Sequence, residues 1–526
     1  MGFRFRTILG TLGVFIVLLL LHYPLLRLPY YWDEAGYYIP AALDFYHFGQ
    51  LIPSSTLTTG HTPLIIIYLA LAWRAFGFSP LVTRVAMNLV AAGAIMGTYA
   101  LGRRVAGREV AWWSALLLSL MPVFFAQSSL AHLDLAAGLF TLLALLALLD
   151  GQPWKFALTA SCAVLSKETA VVLLPAACFF SWWNHRREKS SLPRAWWLAY
   201  SAPVAVLAAW AGYYHHRTGF WTGNGEYLQY NLYSTLNPVR VFLTLLRRMY
   251  ETFIGGFNWL LTAGAIAGIG WARKKGACRL HPEITRAESA APSSYPAKDI
   301  RDMNQSRTLT GFLLLAGCFT AANLVMLSAV GGAVLPRYLL PIFPLLVLTA
   351  VILIWRLPRP AARCIMAATA GCFVWAWFLN PPYPFPYEDN LSYANFIRLH
   401  EQAARFLETQ PRNMRILTAW PATDELARPV LGYVRESRTV VPVEGFSRGE
   451  FKNVSPASFD CLYLYSRRWE PSGHWFQESH WMQKLQEHYF QYRPQIPEEE
   501  LVTRYHLRLL RSFEERRQWV RIYVKR

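Results

Sequence analysis

Residues 8–34 read ILGTLGVFIVLLLLHYPLLRLPYYWDE. An apolar run over 8–28 is followed by the aromatic residues Tyr30-Tyr31-Trp32 and then by the acidic pair Asp33-Glu34. About 20 apolar residues cross the hydrocarbon layer as a helix, and Tyr and Trp gather where that layer meets water. Arg4 and Arg6 precede the run as in a secretory signal, but no small-residue cleavage pattern comes before Tyr30. The stretch therefore reads as a retained first spanning helix with carboxylates just beyond its end.

The rest of the chain repeats that pattern. Of 526 residues, 54% are hydrophobic, 15% aromatic and only 16% charged, whereas soluble domains carry about 25% charged residues. That balance excludes large water-soluble globules, disorder and fibrous repeats. Apolar segments at 8–28, 82–102, 109–126, 133–150, 154–166, 169–184, 196–214, 253–272, 309–329, 337–355 and 361–378 predict about eleven transmembrane helices. The run 61–77 carries Trp73 and Arg74 near its end and suits a helix lying in the interface. With the N-terminus cytoplasmic and 61–77 not spanning, the clusters Arg103-Arg104, Arg186-Arg187, Arg273-Lys274-Lys275 and Arg356 to Arg363 all fall inside, as the positive-inside rule requires. Much of the net charge of +19 is then a topology signal directed at anionic headgroups. Nucleic acid is not an expected partner; membrane lipids are.

Seven cysteines form neither a CxxC nor a Cys/His set with zinc spacing, so neither a disulfide scaffold nor structural zinc is expected. The polar insert 276–308, rich in Ser, Pro and Ala, reads as a flexible cytoplasmic loop. A Pro-rich linker at 379–386 ends the last helix. The expected domains are 1–380, membrane-embedded with a first outer loop at 29–81, and 381–526, a soluble extracytoplasmic α/β domain. In the latter 415–419, 438–443 and 461–465 read as strands, and 393–407 and 424–434 as helices. There is no internal repeat.

With this topology, the ionisable residues at the outer helix ends are few. They include Asp33-Glu34, His61, His132, Asp134, Lys167-Glu168, Arg247-Arg248 and Arg337-Tyr338. Charge in the apolar layer costs about 2.5–3.5 kcal/mol at mid-membrane, so such groups face a cavity or a partner. Asp33 reads either as a helix N-cap with Glu34 as first-turn acid or as a general base whose proton affinity an apolar surface can tune. Lys167 reads either as a snorkelling interfacial turn or as a phosphate ligand oriented by Glu168. An outward Arg337 at a helix start suits neither the helix dipole nor the charge bias, and an anionic partner accounts for it. Arg247-Arg248 admit the same reading, or that of an amphipathic interfacial helix. His61, His132, Asp134 and Glu168 would line the substrate pocket. His132 and Asp134 with Asp33 have metal-ligand chemistry but no motif spacing, and satisfied polar helix ends are the preferred reading; no metal or other cofactor is indicated.

The order of these elements resembles the GT-C glycosyltransferases. The resemblance is carried by Asp33-Glu34, Gly60-His61-Thr62-Pro63-Leu64, Phe76-Gly77-Phe78-Ser79-Pro80-Leu81 with Arg84, Ser166-Lys167-Glu168 and Pro336-Arg337-Tyr338-Leu339-Leu340-Pro341. Within that superfamily the chain is similar to dolichyl-phosphate-mannose–protein mannosyltransferases and to bacterial lipid A aminoarabinose transferases, over roughly 1–380. The tail also looks like the C-terminal domain of the bacterial branch. One departure is that Thr62 precedes Pro63, where the aminoarabinose enzymes carry Lys. The resemblance implies a glycosyltransferase, hexosyl or pentosyl, that uses a polyprenyl-phosphate sugar on the outer face and inverts the anomeric centre. Asp33 matches the first-loop Asp and Glu34 its acidic partner, while Lys167 and Arg337 match basic positions near the lipid phosphate by motif neighbourhood; Tyr338, next to Arg337, is expected at the same phosphate.

The residues fit such a reaction on physical grounds. A single displacement needs one base and no covalent intermediate, fixed cations stabilise a departing phosphate, and a lipid-linked donor removes the need for a nucleotide loop. The competing expectation is a transporter or lipid flippase, which favours internal repeats and a polar site at the midplane. The sequence does not name the acceptor, whether protein, lipid or glycan. Sequons at Asn390 and Asn453 leave a eukaryotic secretory membrane open, but the tail favours a bacterial plasma (inner) membrane.

Overall fold

The computed structural model describes residues 2–275, 297–381, 383–470 and 479–526. Each of the eleven expected apolar segments contains helix. Among the described residues, four helices are long and apolar enough to cross a membrane: Ile8–Leu25, Pro80–Val105, Arg194–Thr218 and Leu309–Ala329. A fifth candidate is the pair Pro238–Phe253 and Gly255–Lys274, bent by 44°. The other segments are shorter or broken, as where Pro122 separates Arg108–Leu120 from Pro122–Gln127. The 61–77 run forms the helix Leu64–Phe76, whose 13 residues span about 20 Å at 1.5 Å per residue, short of the ~30 Å hydrocarbon layer.

The helices pack closely where side chains are small. A Cβ on Gly268 would lie 2.0 Å from the carbonyl oxygen of Leu353, so glycine lets the Asn258–Lys274 and Phe343–Ile354 helices touch. Alternating helix directions collect the basic clusters at one end of the bundle. There Arg104 Nε lies 2.8 Å from Asp150, and Arg363 lies 3.7 Å from Glu109. At the opposite end lie Asp33, the 128–134 turn, Lys167, the 331–337 segment and the tail.

The tail holds a five-stranded sheet, numbered along the chain β1 (Ile416–Ala419), β2 (Val440–Val443), β3 (Cys461–Tyr465), β4 (Leu507–Glu515) and β5 (Gln518–Lys525), in the order β2-β1-β3-β5-β4. β1 pairs in parallel with β2 and β3, and β5 runs antiparallel between β3 and β4. The central strands β1 and β3 are buried along their whole length, which is why ILTA and CLYLY are legible as continuous apolar runs. The helix Ser392–Glu408 packs its apolar stripe, including Phe396, Ala403 and Leu407, against β5 and β4.

The structure differs from expectation at two stretches, 424–434 and 276–308, and adds a hairpin that the sequence reading did not include. The helix expected over 424–434 is instead Ala422–Ala427 followed by a single turn, Pro429–Leu431, because Pro429 cannot continue it. The β4–β5 hairpin carries no turn signal: Arg516 and Arg517 both take positive φ, 49° and 64°, where Asn or Gly is the usual sign. Of the expected loop 276–308, residues 276–296 lie outside the described residues, but the helix Ala297–Ala329 already includes 297–308.

The tail rests directly on the first loop and on the 128–134 turn. Tyr433 donates to the carbonyl of Tyr30 at 3.0 Å, Arg428 to that of Ser55 at 2.7 Å, and Tyr393 meets Ser129 at 3.2 Å. Gly36 has no room for a side chain, since a Cβ there would lie 2.4 Å from Nε1 of Trp420.

Candidate active site

Asp33 and Glu34 are neighbours in sequence but have opposite surroundings. Trp32 sits at φ 43°, and a π-helical turn, Glu34–Tyr38, follows. Asp33 occupies the N-cap position yet makes no capping hydrogen bond, so the N-cap reading does not describe it. Its side chain is 19% exposed, and its Oδ2 accepts from Nη2 of Arg337. Glu34 is completely buried. Its Oε1 accepts from Arg84 Nη1 and from the backbone N–H of Ala131 at 2.6 Å. Its Oε2 accepts from Arg84 Nη2 at 2.9 Å and the N–H of Tyr31 at 2.8 Å. Two donors on each oxygen leave Glu34 no means of meeting a substrate. Expected as a catalytic partner of Asp33, it is instead an anchor that fixes the loop bearing Asp33.

Arg337 lies on the 3-10 turn Pro336–Leu339 and is buried. Besides Asp33, its Nη1 donates to Glu388 Oε2 at 2.8 Å and to His132 Nε2 at 3.0 Å, and its Nε lies 3.6 Å from Asp134. His132 Nδ1 lies 2.6 Å from Oε1 of Gln127. That contact puts the ring proton on Nδ1 and leaves Nε2 as acceptor. Burial, with Arg337, Arg84 and Lys167 nearby, lowers the His132 pKa well below the usual histidine range and keeps the ring neutral.

Lys167 donates to Asp134 Oδ1 at 2.6 Å; Asp134, not the expected Glu168, orients it. Its Nζ also lies 4.0 Å from the centroid of the Tyr338 ring. The Arg337 and Arg248 guanidinium carbons each lie 5.5 Å from that centroid. Three cations from three stretches of chain thus surround one phenol.

Glu168 turns to His61, whose Nδ1 is 3.0 Å from both carboxylate oxygens. Burial opposes ionisation of Glu168, but the charge and hydrogen bond of His61, aided by Lys167, hold it down to about 2. The Tyr38 ring lies between the two histidines, 6.3 Å from His61 and 6.0 Å from His132. Thr62 is buried beside them, its hydroxyl without a partner among the described residues, and it lines a cavity of about 20 Å³ together with Tyr38, His61 and Trp210.

Arg247 and Arg248, expected at the lipid phosphate, donate to the chain, although Arg248 Nε has no partner among the described residues. Arg248 Nη1 donates to the carbonyl of Leu335 at 2.7 Å and to Glu251 at 2.9 Å. Arg247 donates to the carbonyl of Val334 at 2.9 Å. Arg240, two turns earlier on the same buried face, donates to the carbonyls of Gly331 and Gly332. The helix Pro238–Phe253 therefore staples the segment that presents Arg337. Sequence reasoning missed Glu388, which returns from the tail to Arg337; the only signal was an acidic pair, Glu388-Asp389, directly beyond the last apolar segment.

Residues 60–213 match the model of the family described as dolichyl-phosphate-mannose-protein mannosyltransferase. In fold, the chain is similar to ArnT from Cupriavidus metallidurans in the apo state, with 13% identity, coverage of 99% of this chain and 98% of that one, and a TM-score of 0.50. ArnT from the same organism bound to undecaprenyl phosphate gives 14% identity, the same coverage and a TM-score of 0.49. The archaeal oligosaccharyltransferase AglB from Archaeoglobus fulgidus, in complex with an inhibitory peptide and a dolichol-phosphate, gives 12% identity, 86% and 69% coverage and a TM-score of 0.40. No curated protein sequence matches. The chain thus resembles the GT-C glycosyltransferases in sequence over 60–213 and in fold over nearly its whole length. It is a multi-pass membrane protein with a small C-terminal sheet.

Proposed function

We propose that this protein transfers a sugar from a polyprenyl-phosphate donor to an acceptor hydroxyl on the extracytoplasmic face of the membrane, with inversion at the anomeric carbon. The observation that carries the proposal is the meeting of Asp33, Lys167 and Arg337, drawn from three distant stretches, at the end of the bundle opposite the basic clusters. By the positive-inside rule those clusters support a reading in which their own end of the bundle, with the N-terminus, faces the cytoplasm and the site faces outward. ArnT, whose fold the chain shares, has been crystallised with undecaprenyl phosphate.

Asp33, the more exposed carboxylate, takes the proton of the acceptor hydroxyl as its oxygen attacks the anomeric carbon. The bond from that carbon to the phosphate oxygen breaks, and the electron pair leaves with the lipid phosphate. Lys167 and Arg337 stabilise the charge gathering there. Tyr338 spaces the two cations without neutralising either. A single displacement by this route inverts the centre. The site lies at one end of the helices, not midway along them, which favours this reading over a transporter.

Lys167→Ala is expected to weaken binding of undecaprenyl phosphate to the purified protein about tenfold or more, the scale of one charge-assisted hydrogen bond. Unchanged affinity by titration in detergent would remove Lys167 from the donor site.

A further inference from the structure

Every carboxylate near Arg337 must be reconciled with an arriving phosphate. Asp33, Asp134 and Glu388 converge on Arg337, and Asp134 also holds Lys167. That is three negative charges against two positive ones before a phosphate enters. One carboxylate must yield. Asp33 is needed as base and Asp134 is held by Lys167. Glu388 accepts from Arg337 through Oε2 while its second oxygen, Oε1, is buried without a partner among the described residues. Its segment is not the floor of the site but the start of the tail, anchored by its backbone carbonyl to Gln127 at 3.2 Å.

We propose that Glu388 is a positioning residue that keeps the donor-phosphate place on Arg337: its carboxylate orients the guanidinium, gives it up to the entering lipid phosphate, and takes one proton from solvent as it does so. The inference rests on the polyprenyl-phosphate reading above. The hydrogen bond from Arg337 Nη1 to Glu388 is replaced by one to a phosphate oxygen, and the proton gained by Glu388 removes the third negative charge.

The surroundings make the proton available near neutrality. Burial, opposed by Arg337 and aided by Asp33, Asp134 and Glu34, pushes the Glu388 carboxyl up to about 7. Asp389 stands behind it, itself raised well above the usual range by burial and by Glu388, and Tyr31, a neutral phenol, and the ring of Tyr338 face it. Loss of the Arg337 contact raises Glu388 further, so binding and protonation are linked: affinity falls as pH rises above about 7, by up to about tenfold per unit for one proton.

The test titrates undecaprenyl phosphate into the full-length protein in detergent from pH 7 to 9, by calorimetry in two buffers of different ionisation enthalpy. Near pH 8 the wild type should take up close to one proton per lipid bound. Glu388→Gln should take up none and bind at pH 8 about tenfold more tightly than wild type, whereas Asp389→Asn should behave as wild type. The second ionisation of the phosphate, near 6, is common to all three proteins. Binding by the wild type without proton uptake overturns the inference even if the Gln variant fails to fold, as does an unaltered pH profile in that variant. Absence of binding at every pH overturns the donor reading itself.

Discussion

Asp33→Asn is expected to abolish sugar transfer, by about 10²- to 10⁴-fold, the range that a positioned general base contributes. The amide keeps an oxygen that accepts from Arg337 but has no basic site for the acceptor proton. Asp33 is partly exposed and packs no core, so the variant should insert and melt as wild type does. Donor binding should also survive, because Lys167 and Arg337 remain. Turnover of the purified variant within a few-fold of wild type would take Asp33 out of the mechanism.

The second large effect is structural. Arg84→Ala leaves Glu34 fully buried with its charge uncompensated, and breaking a buried pair on one side costs about 3–5 kcal/mol. Arg84 also donates to the carbonyls of Ser129 and Pro29, so the loss reaches both the first loop and the turn that carries His132. The expected result is a large drop in thermal stability, with activity lost in proportion to unfolding. Glu34→Gln in the same background should recover part of the stability by removing the stranded charge. A variant that melts as wild type but is inactive would instead give Arg84 and Glu34 a part in the chemistry.

These two neighbouring acids show how far the sequence could be read. That a carboxylate pair follows the first apolar run is plain from 8–34, and so are the apolar segments, because hydrocarbon selects composition over long windows. Which acid turns inward is not plain. It depends on the positive φ at Trp32 and the π-helical turn after it, and on Arg84, which lies fifty residues away. Lys167-Glu168 suggests an adjacent pair, yet each finds its partner on another stretch, Asp134 and His61. Arg247 and Arg248 look like free cations, but the carbonyls they hold belong to a segment with no apolar period to announce it. Glu388 was beyond reach because a Pro-rich linker hides which way the chain turns. In the tail, the buried runs of β1 and β3 are legible, whereas β4 and β5 meet at a two-arginine turn that sequence chemistry does not mark.

Sugar consumption is the most direct measurement. Purified full-length protein in lipid nanodiscs is incubated with polyprenyl phosphates bearing different radiolabelled hexoses and pentoses, with a membrane extract as the source of acceptor. One donor should be consumed, free polyprenyl phosphate released, and the sugar recovered on the acceptor with the opposite anomeric configuration. If every donor remains intact while the reconstituted protein carries lipid phosphates across the bilayer, the account is contradicted and the converging charges serve transport.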